Sequence, residues 1–360
     1  MRTPIHVLAV LLCCLSLSGF TQRGTDPSQI PRAIQRPGPA VANPDRFITL
    51  DVVVTDPAGH PVPGLQQQDF TILDRKVPRT IRSFGATEAS EMADLPLRAI
   101  VVLDAVNTSV EGIAYQRQEL SKFLQQGAGA LPLPMSLLLL TETPEKPSVV
   151  TRDRNTLLNS LASMRSGLRT ITRAQGFYGG VDRTYLSLRL LDELASYETT
   201  QPGRKLLIWL GPGWPLLSGP EVRLSLGTQQ KFFQNIVGLS TELREAGMTI
   251  YNVGLRGPTE RLDEALYFQG FLKGVASAGE VQPANRSLQV LAIQSGGLVL
   301  NASSDLAASI ATCLEDVEAF YTLSFDSSPA GRPDEYHSLK VRMDRPELAA
   351  RTLTGYYAQP

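Results

Sequence analysis

Residues 98–104 read Arg-Ala-Ile-Val-Val-Leu-Asp, an almost unbroken apolar run that ends on a carboxylate. A strand with one wet face alternates apolar and polar residues, whereas a strand covered by helices on both faces stays apolar along its length. The run is therefore expected to be an inner strand of a parallel sheet. Met135–Leu140, Lys205–Leu210, Thr249–Leu255 and Leu298–Asn301 have the same character. Between them lie segments with apolar residues at helical spacing: Ala114–Gln126, Asn155–Met164, Thr184–Glu198, Thr228–Ala246, Ser287–Gln294 and Asp305–Glu315. In the third, Leu186, Leu190, Leu194 and Tyr197 share a face, and in the fourth Phe232, Ile236, Leu239 and Leu243 do. Gly247 and the Ser295-Gly-Gly turn stop two of these helices. Parallel neighbours need a crossover, and a helix is the economical one. The fold class expected over residues 96–316 is a doubly wound, mostly parallel α/β layer.

Outside that region the period changes to two. Ile48, Leu50, Val52 and Val54 alternate with Thr49, Asp51 and Thr55, and Asp56-Pro-Ala-Gly-His60 supplies a turn. Pro61–Val62, Phe70–Leu73 and Thr80–Phe84 give further extended runs in a β segment spanning 46–90. Beyond residue 316, Tyr321, Leu323 and Phe325 alternate with Thr322 and Ser324, and later Leu339, Val341 and Met343 with Lys340 and Arg342. Each segment is too short to bury a core alone. The expectation is that 46–90 and 317–360 combine six or seven strands into a smaller, all-β, sandwich-like unit.

Residues 1–22 carry Arg2, an apolar run from Ile5 to Leu15 and then small residues, the pattern of a secretory signal peptide. An apolar run of about 11 residues falls short of the ~20 that span a bilayer. Cleavage would leave Cys313 as the one thiol, expected as a buried small hydrophobe, and no membrane insertion afterwards. Residues 23–45, with Pro27, Pro31, Pro37, Pro39 and Pro44, read as an extended linker. The expected location is secreted or periplasmic.

Composition removes several function classes. With 34 basic and 35 acidic residues the net charge is −1, so no field favours nucleic acid. Three histidines starve zinc sites and His-dependent catalysis, and His60 and His337 read as surface or interface residues. Gly211-Pro-Gly213 lacks the third glycine of a dinucleotide loop, because Leu216 stands there, and no phosphate loop or nucleophile elbow occurs. Ligands of open parallel sheets bind at the carboxyl ends of the strands. The candidates there are Asp104, Asn107 and Thr108 after the first inner strand, with Trp214 in the loop after Trp209. Asp104 can cap its own loop or hold a hard cation with nearby hydroxyls. Trp214 is a candidate binding anchor beside the site.

The order of several pieces resembles the von Willebrand factor A-type family, and most of all its secreted members best represented in acidobacteria. The pieces are Leu50-Asp-Val-Val-Val-Thr-Asp-Pro-Ala-Gly-His-Pro-Val-Pro-Gly-Leu65 with Gln68-Asp-Phe70, then Pro202-Gly-Arg-Lys-Leu-Leu-Ile-Trp-Leu210 and Ile250-Tyr-Asn-Val253. They continue through Ser295-Gly-Gly, Tyr321-Thr-Leu-Ser-Phe325 and Tyr336-His-Ser-Leu-Lys-Val341 to Gly355-Tyr-Tyr-Ala358. Such domains hold a divalent ion in an Asp-x-Ser-x-Ser loop, helped by a Thr and an Asp from two other loops. The resemblance implies Asp104, Thr108 and Thr184 as the metal set, with Asn107 and Trp214 facing a partner. The set is degenerate: Val106 replaces the first Ser, and Gly211 or Pro212 replaces the third-loop Asp. At most weak, water-rich binding of Mg²⁺ or Mn²⁺ is expected, and no other cofactor. The implied function is non-enzymatic protein interaction or adhesion, with a protein or cell-envelope component as partner. The alternative is an extracytoplasmic hydrolase whose site no motif reveals.

Overall fold

The computed structural model describes residues 47–88, 96–127, 129–142, 146–164, 177–214, 224–254, 266–301 and 305–360. The leader and linker expected over 1–22 and 23–45 lie outside the described residues. The amino-terminal segment forms β1 (Phe47–Thr55), β2 (Phe70–Asp74), β3 (Val77–Arg79) and β4 (Ile81–Glu88). After β1 the Asp56 carboxylate accepts from the backbone N–H groups of Ala58 and His60, closing the expected turn. β3 is absent from the sequence reading because Pro78 sits in its middle. The structure accommodates that proline on an edge strand paired only with β2.

The central region alternates as its apolar runs imply. In chain order it contains β5 (Arg98–Asp104), α1 (Val110–Gln125), β6 (Met135–Leu140), α2 (Arg154–Ser163), α3 (Phe177–Glu198) and β7 (Lys205–Leu210). Then follow α4 (Leu226–Glu245), β8 (Met248–Val253), α5 (Leu288–Gln294), β9 (Val299–Leu300) and α6 (Leu306–Glu315). The five strands are parallel in the order β6-β5-β7-β8-β9. Helices α1, α2 and α6 cover one face, packing Leu120, Leu157, Ile310 and the buried Cys313 on Val101, Leu103 and Ile208. Helices α3, α4 and α5 cover the other, with Leu190, Leu239 and Leu291 against Ile100, Val102 and Trp209. α1 starts four residues before its apolar spacing does, because the Ser109 hydroxyl accepts from the Gly112 N–H and caps it. α3 starts seven residues early, where Gly179 and Gly180 hide it from a propensity reading.

The chain leaves β5 toward β6 and returns to β7 on the opposite side. The winding therefore reverses between β5 and β7, and their carboxyl ends flank the switch point. At the other end of β7, Lys205 is 1% exposed. Its ammonium donates to the carbonyls of Glu198 and Ala246, both at 2.9 Å, and to that of Gln201.

The carboxyl-terminal strands are β10 (Ala319–Asp326), β11 (Glu335–Met343), β12 (Ala349–Arg351) and β13 (Gly355–Ala358). They interleave with the first four as two four-stranded antiparallel sheets, β12-β1-β10-β4 and β13-β11-β2-β3. Leu50 pairs with Leu323, and Ile72 with Val341. Both sheets feed one core of Leu50, Phe70, Ile72, Leu323, Phe325 and Val341. An ionic junction ties this core to the α/β layer: Asp316 accepts from the Tyr251 hydroxyl at 2.7 Å and pairs with Arg351.

His337 is a correction to the sequence reading, since it is fully buried rather than at the surface. Along β11 it shares the inward register of Leu339, Val341 and Met343, so its side chain must enter the core. There its Nδ1 lies 3.0 Å from the Tyr356 hydroxyl and 3.3 Å from the Asp74 carboxylate. Burial pushes the imidazole below the ordinary histidine value, against the pull of Asp74. Acidification below about pH 6.5 then protonates the unfolded chain before the folded one, so this residue makes stability fall as pH falls. Urea midpoints from pH 8 to pH 5.5 should drop more steeply for the wild type than for His337→Gln. Parallel curves would show that the imidazole titrates alike in both states.

Candidate functional site

Asp104 ends β5 at the switch point with its side chain on the same face as Val102, two residues back. It is 0% exposed, and four donors surround it. Oδ1 accepts from the backbone N–H groups of Val106 at 3.1 Å and Asn107 at 2.9 Å. Oδ2 accepts from Asn107 Nδ2 at 2.8 Å and from Trp209 Nε1 at 2.9 Å. Burial pushes the carboxyl above the ordinary aspartate range, while the Asn107 and Trp209 donors pull it down. Asp104 thus caps its own loop and ties β5 to β7.

The structure brings Asn107 to Asp104, and Asn107 Nδ2 also donates to Ser187 on α3 at 2.9 Å. Thr184 lies one turn before Ser187, 8% exposed, with an Oγ1 that meets no hydrogen-bonding partner among the described residues. Thr108 turns toward α1, where its hydroxyl accepts from Gln116 Nε2 at 3.3 Å. Trp214 is 4% exposed and packs edge-on against Trp209, with ring centroids 5.6 Å apart. The exposed aromatic anchor expected there is therefore a core residue, because the T-shaped indole pair fills the space above β7. Sequence reasoning missed Ser187 and the part played by Trp209. The strand register carried a signal for the latter, since Trp209 pairs with Val102, two residues from Asp104 on one face.

In the third loop the two glycines leave no room for an acid, while Pro212 between them is exposed. A Cβ on Gly211 would sit 3.0 Å from Asp104 Cβ. Gly213 adopts φ +92°, and a side chain there would overlap the Gln289 amide, which donates to the Pro212 carbonyl at 2.9 Å. Asn252 Nδ2 holds the Gly211 carbonyl at 2.9 Å from β8. Among the described residues no three His, Cys, Asp or Glu side chains come together as a metal cluster. A divalent ion needs several oxygens facing one point. Here one carboxylate is occupied by donors and one of the two hydroxyls faces a helix, so the arrangement does not fit the ion.

No protein-family model matches the chain, and no curated protein is similar to it in sequence. Solved structures do align with it. An aerotolerance-related membrane protein from Bacteroides fragilis shares 11% identity at a TM-score of 0.33, over 61% of this chain and 98% of that one. BatB from Bacteroides thetaiotaomicron shares 9% at a TM-score of 0.31, over 61% and 96%. Manganese-loaded TRAP protein from Plasmodium vivax shares 8% at a TM-score of 0.34, over 76% and 97%. Likeness at this level decides nothing about the site. The five-stranded parallel sheet between two helical layers stands on its own strand order and pairing. No helix among the described residues is long and apolar enough to cross a membrane.

Proposed function

We propose that the chain is a secreted or periplasmic, non-enzymatic interaction module of von Willebrand factor A type. It grips a protein or cell-envelope component with the strand-end face of its α/β layer, and its degenerate adhesion site works largely without a divalent ion. The observation that carries this reading is that Val110, Tyr185 and Leu226, three of the nine large apolar side chains exposed among the described residues, stand on α1, α3 and α4. A helix that follows a parallel strand begins at that strand's carboxyl end. Val110 opens α1 at 50% exposure and Leu226 opens α4 at 83%. Tyr185 joins them on α3, one residue after Thr184 and two before the Ser187 that Asn107 reaches. Single exposed apolar residues are ordinary, but several on one rim suit a protein partner. The saturated Asp104 carboxylate supports the metal-independent part of the reading.

The test has two arms. Fractionation with amino-terminal sequencing should find an exported chain that has lost its leader, and a cytoplasmic chain still carrying Met1 would refute export. Pull-down from envelope extracts should retain the same protein with and without EDTA, and Val110→Glu/Leu226→Glu should lose it. Retention by the double variant would refute this face as the binding surface.

A further inference from the structure

Arg286 closes the 3₁₀ turn Pro283–Arg286, immediately before α5. Its guanidinium lies 3.5 Å over the Phe232 ring of α4. The other shielded arginines of the fold have oxygen partners: Arg98 pairs with Glu198, Arg351 with Asp316, and Arg117 and Arg154 bind carbonyls at helix ends. Arg286 has none among the described residues. Its Nε is buried without a hydrogen-bond partner, and so is the Oγ of the next residue, Ser287, which is itself 6% exposed. Burial alone pushes the guanidinium down to about 10, with no opposing charge to hold it up.

An arginine stacked on an aromatic face is fixed in plane, so the N–H groups along its edge stay oriented while unused. The ligand that satisfies such an edge is a planar anion with two acceptors, and a carboxylate matches it bidentately. We propose that Arg286, seated on Phe232 beside Ser287, is a carboxylate-binding site that takes an acidic side chain of the protein partner. The partner as source of that carboxylate rests on the interaction reading above, whereas the site itself does not.

The probe is the peptide acetyl-Glu-Glu-Glu-amide, titrated into the full mature chain labelled at its arginine Nε groups and followed by NMR. The Nε–H signal that disappears in Arg286→Gln should shift with the glutamate peptide and stay still with the glutamine analogue. Affinity should fall at least tenfold in Arg286→Gln, with Arg286→Lys in between because it keeps the charge and loses the fork. Thermal melts identify any variant that fails to fold. If Arg286→Gln does, the wild-type shift and Arg286→Lys still decide. Equal binding of the glutamate peptide by wild type and variants, or an unmoved Arg286 signal, would overturn the site. Inorganic phosphate binding tenfold more tightly than the peptide would overturn the carboxylate assignment. Retention of the envelope partner by Val110→Glu/Leu226→Glu alongside peptide binding at Arg286 would refute the interaction face and leave the site standing.

Discussion

Lys205→Met is expected to lower the unfolding free energy by about 1–3 kcal/mol, read as a shift in urea midpoint at unchanged slope. The replacement keeps the length and apolar stem of the side chain, so packing against the surrounding core is largely retained. What it removes is an ammonium that serves three carbonyls, those of Glu198 at the end of α3, Gln201 beyond it and Ala246 after α4. The last carbonyls of a helix have no partner within the helix. A single cation that closes two helix ends also lies favourably in both helix dipoles. Losing it strands the buried Ala246 carbonyl at roughly 1–3 kcal/mol, while the Glu198 carbonyl keeps the Gln201 N–H at 3.1 Å and the partly exposed Gln201 carbonyl turns to water. The Glu198 carboxylate attracts the ammonium, whereas Arg98, a like charge paired with Glu198, repels it and trims the expected loss. A midpoint unchanged within error would mean that the ammonium contributes nothing beyond its methylenes.

Lys205 also shows where sequence reading stops. The run Lys205–Leu210 identified a buried strand, yet nothing in the run says what its lysine binds. Only the return of α3 and α4 to the same corner makes it a core residue. The α/β layer was legible because apolar continuity and helical spacing are local and repeat along the chain. The pairing of β1 with β10 and of β2 with β11 joins residues more than 250 positions apart, and period two alone could say only that the end segments need a partner. β3 stayed hidden behind Pro78, and His337 behind the assumption that an imidazole near a strand start is exposed. At the site, Asp104 and Asn107 were found as neighbours because they lie on one loop. The burial of Trp214 and the turning of Thr108 toward Gln116 depend on ring packing and helix placement, which spacing does not encode.

Asp104→Ala is expected to cost about 3–5 kcal/mol whether or not Mg²⁺, Mn²⁺ or Ca²⁺ is present. The alanine leaves the Val106 and Asn107 N–H groups, the Asn107 amide and the Trp209 indole N–H without their acceptor. Trp209 is fully buried, so its N–H has no water to turn to. Asp104→Asn should lose less, since its carbonyl still serves one side, but its amide must face either the indole N–H and Asn107 Nδ2 together or the two backbone N–H groups, donor against donor. A metal site would behave differently. A ligand at about a thousand times its Kd adds roughly 4 kcal/mol to the folded state, so a millimolar ion bound at micromolar affinity would raise the wild-type midpoint visibly. The saturated carboxylate and the side-chain-free Gly211 argue that no such rise occurs. Titration calorimetry gives the same contrast directly: micromolar binding in the wild type, abolished in Asp104→Ala, would restore a working ion site and overturn the metal-independent reading. Loss of stability without any heat of ion binding would identify Asp104 as the clamp that joins β5 to β7 beneath the binding face.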